Sequence, residues 1–234
     1  MEQINIIWQG LPSLLSGTVT TIILTFYFLG LGFVMGIILA LGRVYGSRII
    51  NCLFIRPFER FFRAVPALVL LFLFYFGSSF FNLNFSPFVA AILAMGLRSA
   101  AYQSEIFRGA IQSIGDGQMK AARSIGMNMF QSIRYIILPQ ALRLSIPPWT
   151  NEYAVVLKDT SLAYAVGVTE LLRQGRYIVA RTFGNALLVY TFCALIYFIL
   201  VFIGNQVLKN LEKKYKIPGH EIQAPKHQSV LERI

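Results

Sequence analysis

The chain contains 234 residues, of which 56% are hydrophobic and only 13% are charged. Soluble domains carry about 25% charged residues, so this composition excludes an ordinary soluble globular protein and indicates a polytopic membrane protein. The net charge of +11 is better explained by basic loops beside a membrane than by a nucleic-acid partner, and we expect no nucleic acid to bind.

Five apolar stretches are long enough to cross a bilayer, which predicts an all-α polytopic membrane protein with five transmembrane helices. In chain order, these stretches cover residues 17–42, 64–81, 86–107, 148–170 and 185–208. The fourth stretch is the weakest candidate, because it contains an asparagine, two acidic residues and a lysine. Without it, four spans would remain, and the basic C-terminal tail would lie on the opposite side of the membrane from the basic loop at 43–63.

With five spans, most of the 21 basic residues fall on one side of the membrane, in the first loop, the third loop and the tail. Residues 1–16 contain no lysine or arginine. The positive-inside rule therefore places the N-terminus outside and the C-terminus in the cytoplasm of a multi-pass protein of the cell membrane. Three arginines on the outer side are exceptions: Arg173, Arg176 and Arg181. We expect residues 1–216 to form a single transmembrane domain and residues 217–234 a polar cytoplasmic tail.

Two local patterns predict how helices are arranged near the first loop. Small residues recur at every fourth position of the first span, at Gly32, Gly36 and Ala40. Such a stripe permits close helix packing in lipid, and we favour packing within the chain over a dimer face. The segment Arg48–Phe62 mixes basic and large apolar residues, which suits a helix at the cytoplasmic interface or an extension of the second span.

The third loop, between spans three and four, begins with the signature of a short capped helix. Ser113 and Asp116 are spaced as in a capping box and predict a helix over 118–125, which Gly126 would end. The adjacent alanines at 121 and 122 would leave one face of this helix flat, so that a partner surface could approach it closely.

A second short helix is predicted to begin at Asn128, as its N-cap, and to end at Pro139. Pro147 and Pro148 predict a further break just before the fourth span. On these features alone the loop is either a docking surface or a solvated connector between two spans.

The spacing within this loop resembles that of a known family. Lys120-Ala121-Ala122, Gly126, Ile136 and Leu138-Pro139 match the EAA loop of ABC-importer permeases, which have a MetI-like transmembrane domain. Two flanking segments, Ser99–Ile111 and Asn151–Leu162, are similar to those of the polar amino-acid uptake branch. The resemblance implies a cytoplasmic coupling helix that sits in a cleft of the ATPase subunit. The residues it implies for coupling are Gly117, Lys120, Ala121, Ala122, Gly126, Leu138 and Pro139.

The chain departs from the family pattern at two places. Lys120 stands where the EAA signature usually has a glutamate, which reverses the charge. The segment before the second span reads Arg63-Ala64-Val65-Pro66 where the family usually has Arg-Gly-Thr-Pro, and Arg60 stands at a usually acidic position with Glu59 beside it.

Ionisable residues at membrane depth are costly, and they usually face a cavity or a charged partner. Arg98 and Asp159 each lie about 16 Å along their predicted spans, at 1.5 Å per residue. We therefore predict a substrate path lined by Arg98, Asn151, Glu152, Lys158 and Asp159. The alternative for Arg98 and Asp159 is a structural ion pair that joins two helices. Glu105 and Arg108, three residues apart, are expected to pair within one helix.

The sequence contains no phosphate-binding loop of the form Gly-x-x-x-x-Gly-Lys-Ser/Thr and no nucleophile–base pair. We therefore expect a non-enzymatic transporter subunit without a cofactor or metal site, and two free thiols at Cys52 and Cys193. The partners implied are a cytoplasmic ABC ATPase dimer, a second permease subunit, an extracytoplasmic amino-acid-binding protein and the lipid bilayer. The alternatives are an importer of another small solute, a passive channel or carrier, and a membrane scaffold.

Overall fold

The computed structural model describes residues 2–182 and 186–215, and in this part of the chain it is entirely helical. The predicted all-α class is therefore confirmed, whereas the tail at 217–234 lies outside the described residues. The α-helices are α1 Glu2–Tyr45, α2 Arg48–Ile50, α3 Arg56–Ala64, α4 Ala67–Phe80, α5 Pro87–Ser113, α6 Asp116–Ser124, α7 Met129–Ser132, α8 Leu138–Asp159, α9 Leu171–Thr182 and α10 Ala186–Tyr215. Two π-helical turns, Asn51–Ile55 and Ile133–Ile137, and a 3₁₀-helix, Thr160–Val166, connect them.

Two helices of the described residues are long and apolar enough to cross a membrane by themselves, Trp8–Tyr45 and Ala186–Tyr215. A third crossing is possible where Arg48–Ala64 and Ala67–Phe80 join, although these segments are bent by 108° at the break. Helix α1 extends well beyond the predicted span at 17–42. Its 44 residues cover roughly 66 Å, about twice the hydrocarbon core of a bilayer.

Helix α5 lies at the centre of the fold, and the small-residue stripe of α1 packs against it. A Cβ added to Gly36 would lie 2.9 Å from Cβ of Gln103 and 3.1 Å from the backbone nitrogen of Ser104. Ala40, at the end of the stripe, is fully buried. The expected packing within the chain is therefore confirmed, because only residues without a side chain allow the two backbones to approach this closely.

Helices α2 and α3 form the amphipathic segment predicted at Arg48–Phe62, and α3 turns sharply into α4 at Val65 and Pro66. Glu59 fixes the inner face of α3. It is 1% exposed, pairs with Arg43 of α1 and accepts a hydrogen bond of 2.6 Å from Oγ of Ser104 in α5. One buried carboxylate thus joins three helices.

The predicted breaks at Pro139 and at Pro147-Pro148 are wrong. Pro139 lies in the first turn of α8, directly after a π-helical turn, as Pro57 does in α3. The i→i+5 bonds of a π turn shift the hydrogen-bond ladder, so the missing N–H of a proline costs less there. Helix α8 continues through Pro147 and Pro148, and proline within a membrane helix is tolerated where neighbouring groups satisfy the freed carbonyls.

The boundaries predicted for the fourth span, 148–170, are also wrong. Helix α8 begins ten residues earlier and ends at Asp159, where the chain tightens into the 3₁₀-helix. The hydroxyls of Thr160 and Ser161 support this change, as they donate to the carbonyls of Leu157 and Lys158 at 2.6 and 2.7 Å. Gly167, with φ of +110°, then reverses the chain into α9, a conformation that favours glycine.

The caps of the third loop are only partly as predicted. Ser113 does not cap α6, because α5 extends to this residue and its hydroxyl donates to the carbonyl of Ala110. Gly126, with φ of +89°, ends α6 as expected, and Asn128 forms a capping box with Gln131 at the start of α7. The expected free thiols are confirmed: Cys52 is exposed and Cys193 is buried.

Candidate functional site

Arg98 of α5 and Asp159 of α8 form an ion pair, which the sequence left open as the alternative to a substrate path. Nη1 of Arg98 lies 2.8 Å from Oδ2 of Asp159, and the two side chains are 20% and 26% exposed. The guanidinium also lies 4.9 Å from the ring centroid of Tyr102. Its buried Nε has no hydrogen-bond partner among the described residues, so this cation retains an unused donor beside an accessible pair.

Glu152 lies two helical turns before Asp159, on the same face of α8, and belongs to a buried polar network. It is 7% exposed and accepts a hydrogen bond of 2.7 Å from Oγ of Ser99. Ser99 also accepts from Nε2 of Gln103, whose Oε1 accepts from Nε1 of Trp149 at 2.7 Å. Gln103 donates to the carbonyl of Leu29 as well. The network therefore connects α1, α5 and α8 beside the Arg98–Asp159 pair.

The structure does not bring all five predicted path residues together. Glu152 and Asp159 are seven residues apart and share the face of α8 that contacts α5. Asn151 and Lys158, also seven apart, are both exposed. Lys158 faces a groove against α9 and α10, with Tyr190 and Tyr197 in its lining. Two separate faces of α8 thus carry the predicted path residues.

Glu105 and Arg108 pair within α5, as predicted. The sequence reasoning missed Ser99 and Gln103, which are almost completely buried in the same helix. Their polarity within an apolar segment was the available signal, since polar side chains at membrane depth seldom lack a partner. It also missed Glu170, a fully buried carboxylate at the start of α9.

The predicted coupling residues lie at the opposite end of the fold from α9, on α6 and its flanks. Gly117, Lys120, Ala121 and Gly126 are exposed, whereas Ala122 is 4% exposed and packs inward. The two alanines therefore have different roles. The small side chain of Ala121 leaves the exposed face of α6 flat, and the side chain of Ala122 packs α6 against the rest of the protein. Leu138 and Pro139 begin α8 and form the base of this region.

Large apolar side chains surround the exposed face of α6. The most exposed are Ile125 at 75%, Phe130 at 71% and Tyr135 at 62%. Exposed apolar residues next to polar ones are typical of a protein-binding surface. In the described part of the chain, no group of three His, Cys, Asp or Glu residues is placed to hold a metal ion.

A family model described as "Binding-protein-dependent transport system inner membrane component" matches residues 32–217. The chain belongs to this family. It is a permease subunit of an ABC importer in the inner membrane, and ATP is hydrolysed by a partner ATPase rather than by this chain. The matched residues include α5, α6 and α8, which carry both parts of the candidate site.

Curated relatives cover almost the whole chain. The glutamine transport system permease protein GlnP of Escherichia coli (strain K12) is 36% identical over 213 residues, which cover 90% of this chain and 96% of that protein. The L-cystine transport system permease protein TcyB of Bacillus subtilis (strain 168) is 36% identical over 214 residues, 90% of each chain.

Among solved structures, one chain described as an amino acid ABC transporter with histidines has a TM-score of 0.81 and 31% sequence identity. The match covers 92% of this chain and 99% of that chain. Likeness of fold and sequence therefore extends from α1 to α10 in this permease.

Proposed function

We propose that this permease imports polar amino acids along a path beside Arg98, Glu152 and Asp159. Asn151 and Lys158 lie on another face of α8. The observation that carries the proposal is the cluster of opposite charges between α5 and α8. An amino acid is a zwitterion, so its path needs an anion partner for the ammonium and a cation partner for the carboxylate. Glu152 and Asp159 provide the first, and Arg98, whose side chain is partly exposed beside Asp159, provides the second.

The Arg98–Asp159 pair is suited to this role because it is only partly buried. An ion pair that served packing alone would be expected to be sealed and fully hydrogen-bonded, since incomplete pairing of buried charges is costly. Here each side chain is about a quarter or less exposed, and one donor is unpaired. We infer that a substrate carboxylate competes with Asp159 for Arg98 as it passes.

The names of the relatives support the substrate class and leave the particular amino acid open. GlnP is named for glutamine and TcyB for L-cystine, and both are 36% identical to this chain. A polar amino acid is the chemistry that these two substrates share.

The topology that we propose has five spans, formed by α1, the bent pair of α3 and α4, α5, α8 and α10. The N-terminus lies outside and α6 lies in the cytoplasm. Residues 1–216 form one permease domain, followed by a cytoplasmic tail at 217–234. The charge distribution among the loops supports this orientation.

The assembly that we propose contains two permease subunits, a cytoplasmic ATPase dimer and an extracytoplasmic amino-acid-binding protein. The exposed face of α6, with Ile125 and Phe130 beside it, would dock on the ATPase. Gly117, Lys120, Ala121 and Gly126 lie on this exposed surface, and Ala122, Leu138 and Pro139 support it from below.

Charge-neutral substitutions at the pair and in the network test the path. Arg98→Gln and Glu152→Gln are each expected to reduce uptake of labelled amino acid at least tenfold, since each removes an interaction of about 1.5–3 kcal/mol with a charged substrate group. Uptake is measured in proteoliposomes that contain the permease, its ATPase and the binding protein. Arg48→Gln, at an exposed arginine of α2, is the matched control and should leave uptake unchanged.

Co-purification of the ATPase with each variant separates transport from assembly. If uptake survives in both variants while assembly suffers, Arg98 and Glu152 hold helices together and do not line a path.

A further inference from the structure

We propose that a groove between α1, α8 and α10 binds an anionic phospholipid, with an acyl chain along the groove and the phosphate at Arg143. The groove has a volume of about 970 Å³ and is named here the lipid groove. Its walls include Phe26 and Gly30 of α1, Arg143 and Ile146 of α8, and Ile203 of α10. It lies outside the predicted substrate path.

The dimensions of the lipid groove suit hydrocarbon chains better than a helix. Along α8 it extends from Pro139 to Leu157, which is roughly 27 Å at 1.5 Å per residue. A volume of about 970 Å³ over this length gives a mean cross-section of roughly 36 Å². An α-helix with side chains is about 10 Å wide, or roughly 79 Å² in cross-section, so the groove is narrower than a whole helix.

The walls of the lipid groove present almost only carbon. Polar groups in its lining are already bonded within the chain. The hydroxyls of Thr25, Ser145 and Tyr153 donate to the carbonyls of Thr21, Leu142 and Leu200, and the indole of Trp149 donates to Gln103. A polar solute would find few partners along these walls, because these four donors are engaged. An acyl chain needs none.

Arg143 supplies the exception, one helical turn from the Pro139 end of the lipid groove. It is exposed and has no ion-pair or hydrogen-bond partner among the described residues. Tyr215 lies in the lining at the opposite wall. A free guanidinium at the mouth of an apolar groove matches an anionic headgroup above an acyl chain, and Tyr side chains favour the same interfacial depth.

The length also fits one leaflet. Half of the hydrocarbon core is about 15 Å thick. From Arg143 to its far end the groove follows α8 for roughly 21 Å, and a tilted helix of that length covers a smaller depth of the membrane. In the topology proposed above, Arg143 lies near the cytoplasmic surface, so the lipid would come from the inner leaflet. This placement rests on the proposed function, whereas the match of groove and ligand does not.

Gly30 offers a direct test, because a Cβ added there would meet no atom within 4 Å. Gly30→Phe should therefore fill the lipid groove without disturbing the fold. Gly109→Phe is the matched control, since Gly109 of α5 also has open space around it but does not line the groove.

The measurement is native mass spectrometry of the whole permease–ATPase complex, purified from nanodiscs of phosphatidylglycerol and phosphatidylcholine. The native chain and Gly109→Phe should retain bound phosphatidylglycerol, and Gly30→Phe should lose it. Arg143→Gln should retain lipid but lose about fivefold in preference for phosphatidylglycerol over phosphatidylcholine, which corresponds to ~1 kcal/mol for one basic side chain. Arg134→Gln, at an exposed arginine outside the groove, should keep the preference.

Three outcomes would overturn the proposal. Equal lipid occupancy in the native chain and Gly30→Phe, or an unchanged headgroup preference in Arg143→Gln, would show that the lipid is bound elsewhere. Separation of the permease dimer by Gly30→Phe would show that a second copy of the chain occupies the groove. Lipid occupancy is measured without transport, so it tests the lipid proposal even if the transport proposal fails.

Discussion

At the residue scale, Lys120 tests whether charge or shape seats α6 on its partner. Lys120 is exposed in a surface that also contains Gly117, Ala121 and Ile125. An exposed ion pair contributes only about 0–1 kcal/mol. The exposed apolar side chains and the small side chain of Ala121 should contribute more binding free energy than this charge, because well-packed apolar groups dominate protein interfaces.

Lys120→Glu is therefore expected to change ATPase stimulation and uptake by no more than about fivefold, equivalent to ~1 kcal/mol. The measurement is ATPase activity in proteoliposomes with the binding protein and ligand, together with uptake. Ala121→Trp is the steric counterpart on the same exposed face and should abolish stimulation. A large loss for Lys120→Glu with normal coupling in Ala121→Trp would mean that charge, and not shape, seats the helix.

Glu170 is the residue on which the position of α9 depends. Its carboxylate accepts bonds of 2.8 Å from the backbone nitrogens of Leu172 and Arg173 and from the hydroxyl of Tyr197. It therefore caps the start of α9 and ties this helix to α10. The backbone nitrogen of Leu171 donates to Thr21 of α1, so three helices meet at this point.

Glu170→Ala should lower the thermal stability of the purified complex strongly, because each buried donor that loses its acceptor costs roughly 1–3 kcal/mol. Tyr197→Phe removes only one of the three bonds and should cost less. Both are measured as melting temperatures in the same detergent. Equal melting of Glu170→Ala and the native chain would contradict a structural role for this carboxylate.

At the element scale, the seam between α1 and α5 sets how closely the helices pack. Gly36 lies against the backbone of α5, while Gly30 on the same helix faces open space. Gly36→Leu should destabilise the permease by about 1–3 kcal/mol through overpacking, and Gly30→Leu should not. Thermal melting of the two variants compares the same substitution six residues apart. Similar melting for both would show that α1 does not pack tightly on α5.

How far the sequence predicts these elements depends on the range of the interactions involved. Apolar length predicted α1 and α10, and the caps at Gly126 and Asn128 follow from local backbone chemistry. Ser113 failed as a cap because α5 extended past the expected end, and tertiary contacts decide where a helix stops. The continuation of α8 through Pro147 and Pro148 depends on neighbouring helices, which no local pattern reveals.

The candidate site, too, could be predicted from the sequence only in part. Arg98 and Asp159 were predicted to line a path, with an ion pair as the alternative, because charges at membrane depth usually face a cavity or a charged partner. Gln103 and Glu59 were missed, because their partners are 74 and 45 residues away in sequence, at Leu29 and Ser104 respectively. Helix packing brings these partners together, and a single sequence does not specify which pairs of polar residues will meet.

At the scale of the whole molecule, three groups of residues lie in separate regions of one helical scaffold. The charged cluster between α5 and α8 lies inside, α6 presents its small and apolar residues at one end, and the outer surfaces of α4 and α10 carry exposed apolar side chains such as Phe76 and Phe198. Helix α8 follows the π-helical turn Ile133–Ile137, which contacts α6, and it ends at Asp159. In the proposed assembly, movement of α6 would reach the proposed path through this turn and α8.

The account as a whole predicts that transport depends on all of its partners at once. The most direct measurement is ATP-dependent uptake in proteoliposomes containing the permease, its ATPase and the binding protein, with a panel of labelled polar amino acids. We expect uptake of at least one of them, only with ATP and binding protein present, and a rise in ATPase activity when ligand is added. Uptake that continues without ATP, or ATPase activity that does not respond to binding protein and ligand, would contradict a coupled amino-acid importer.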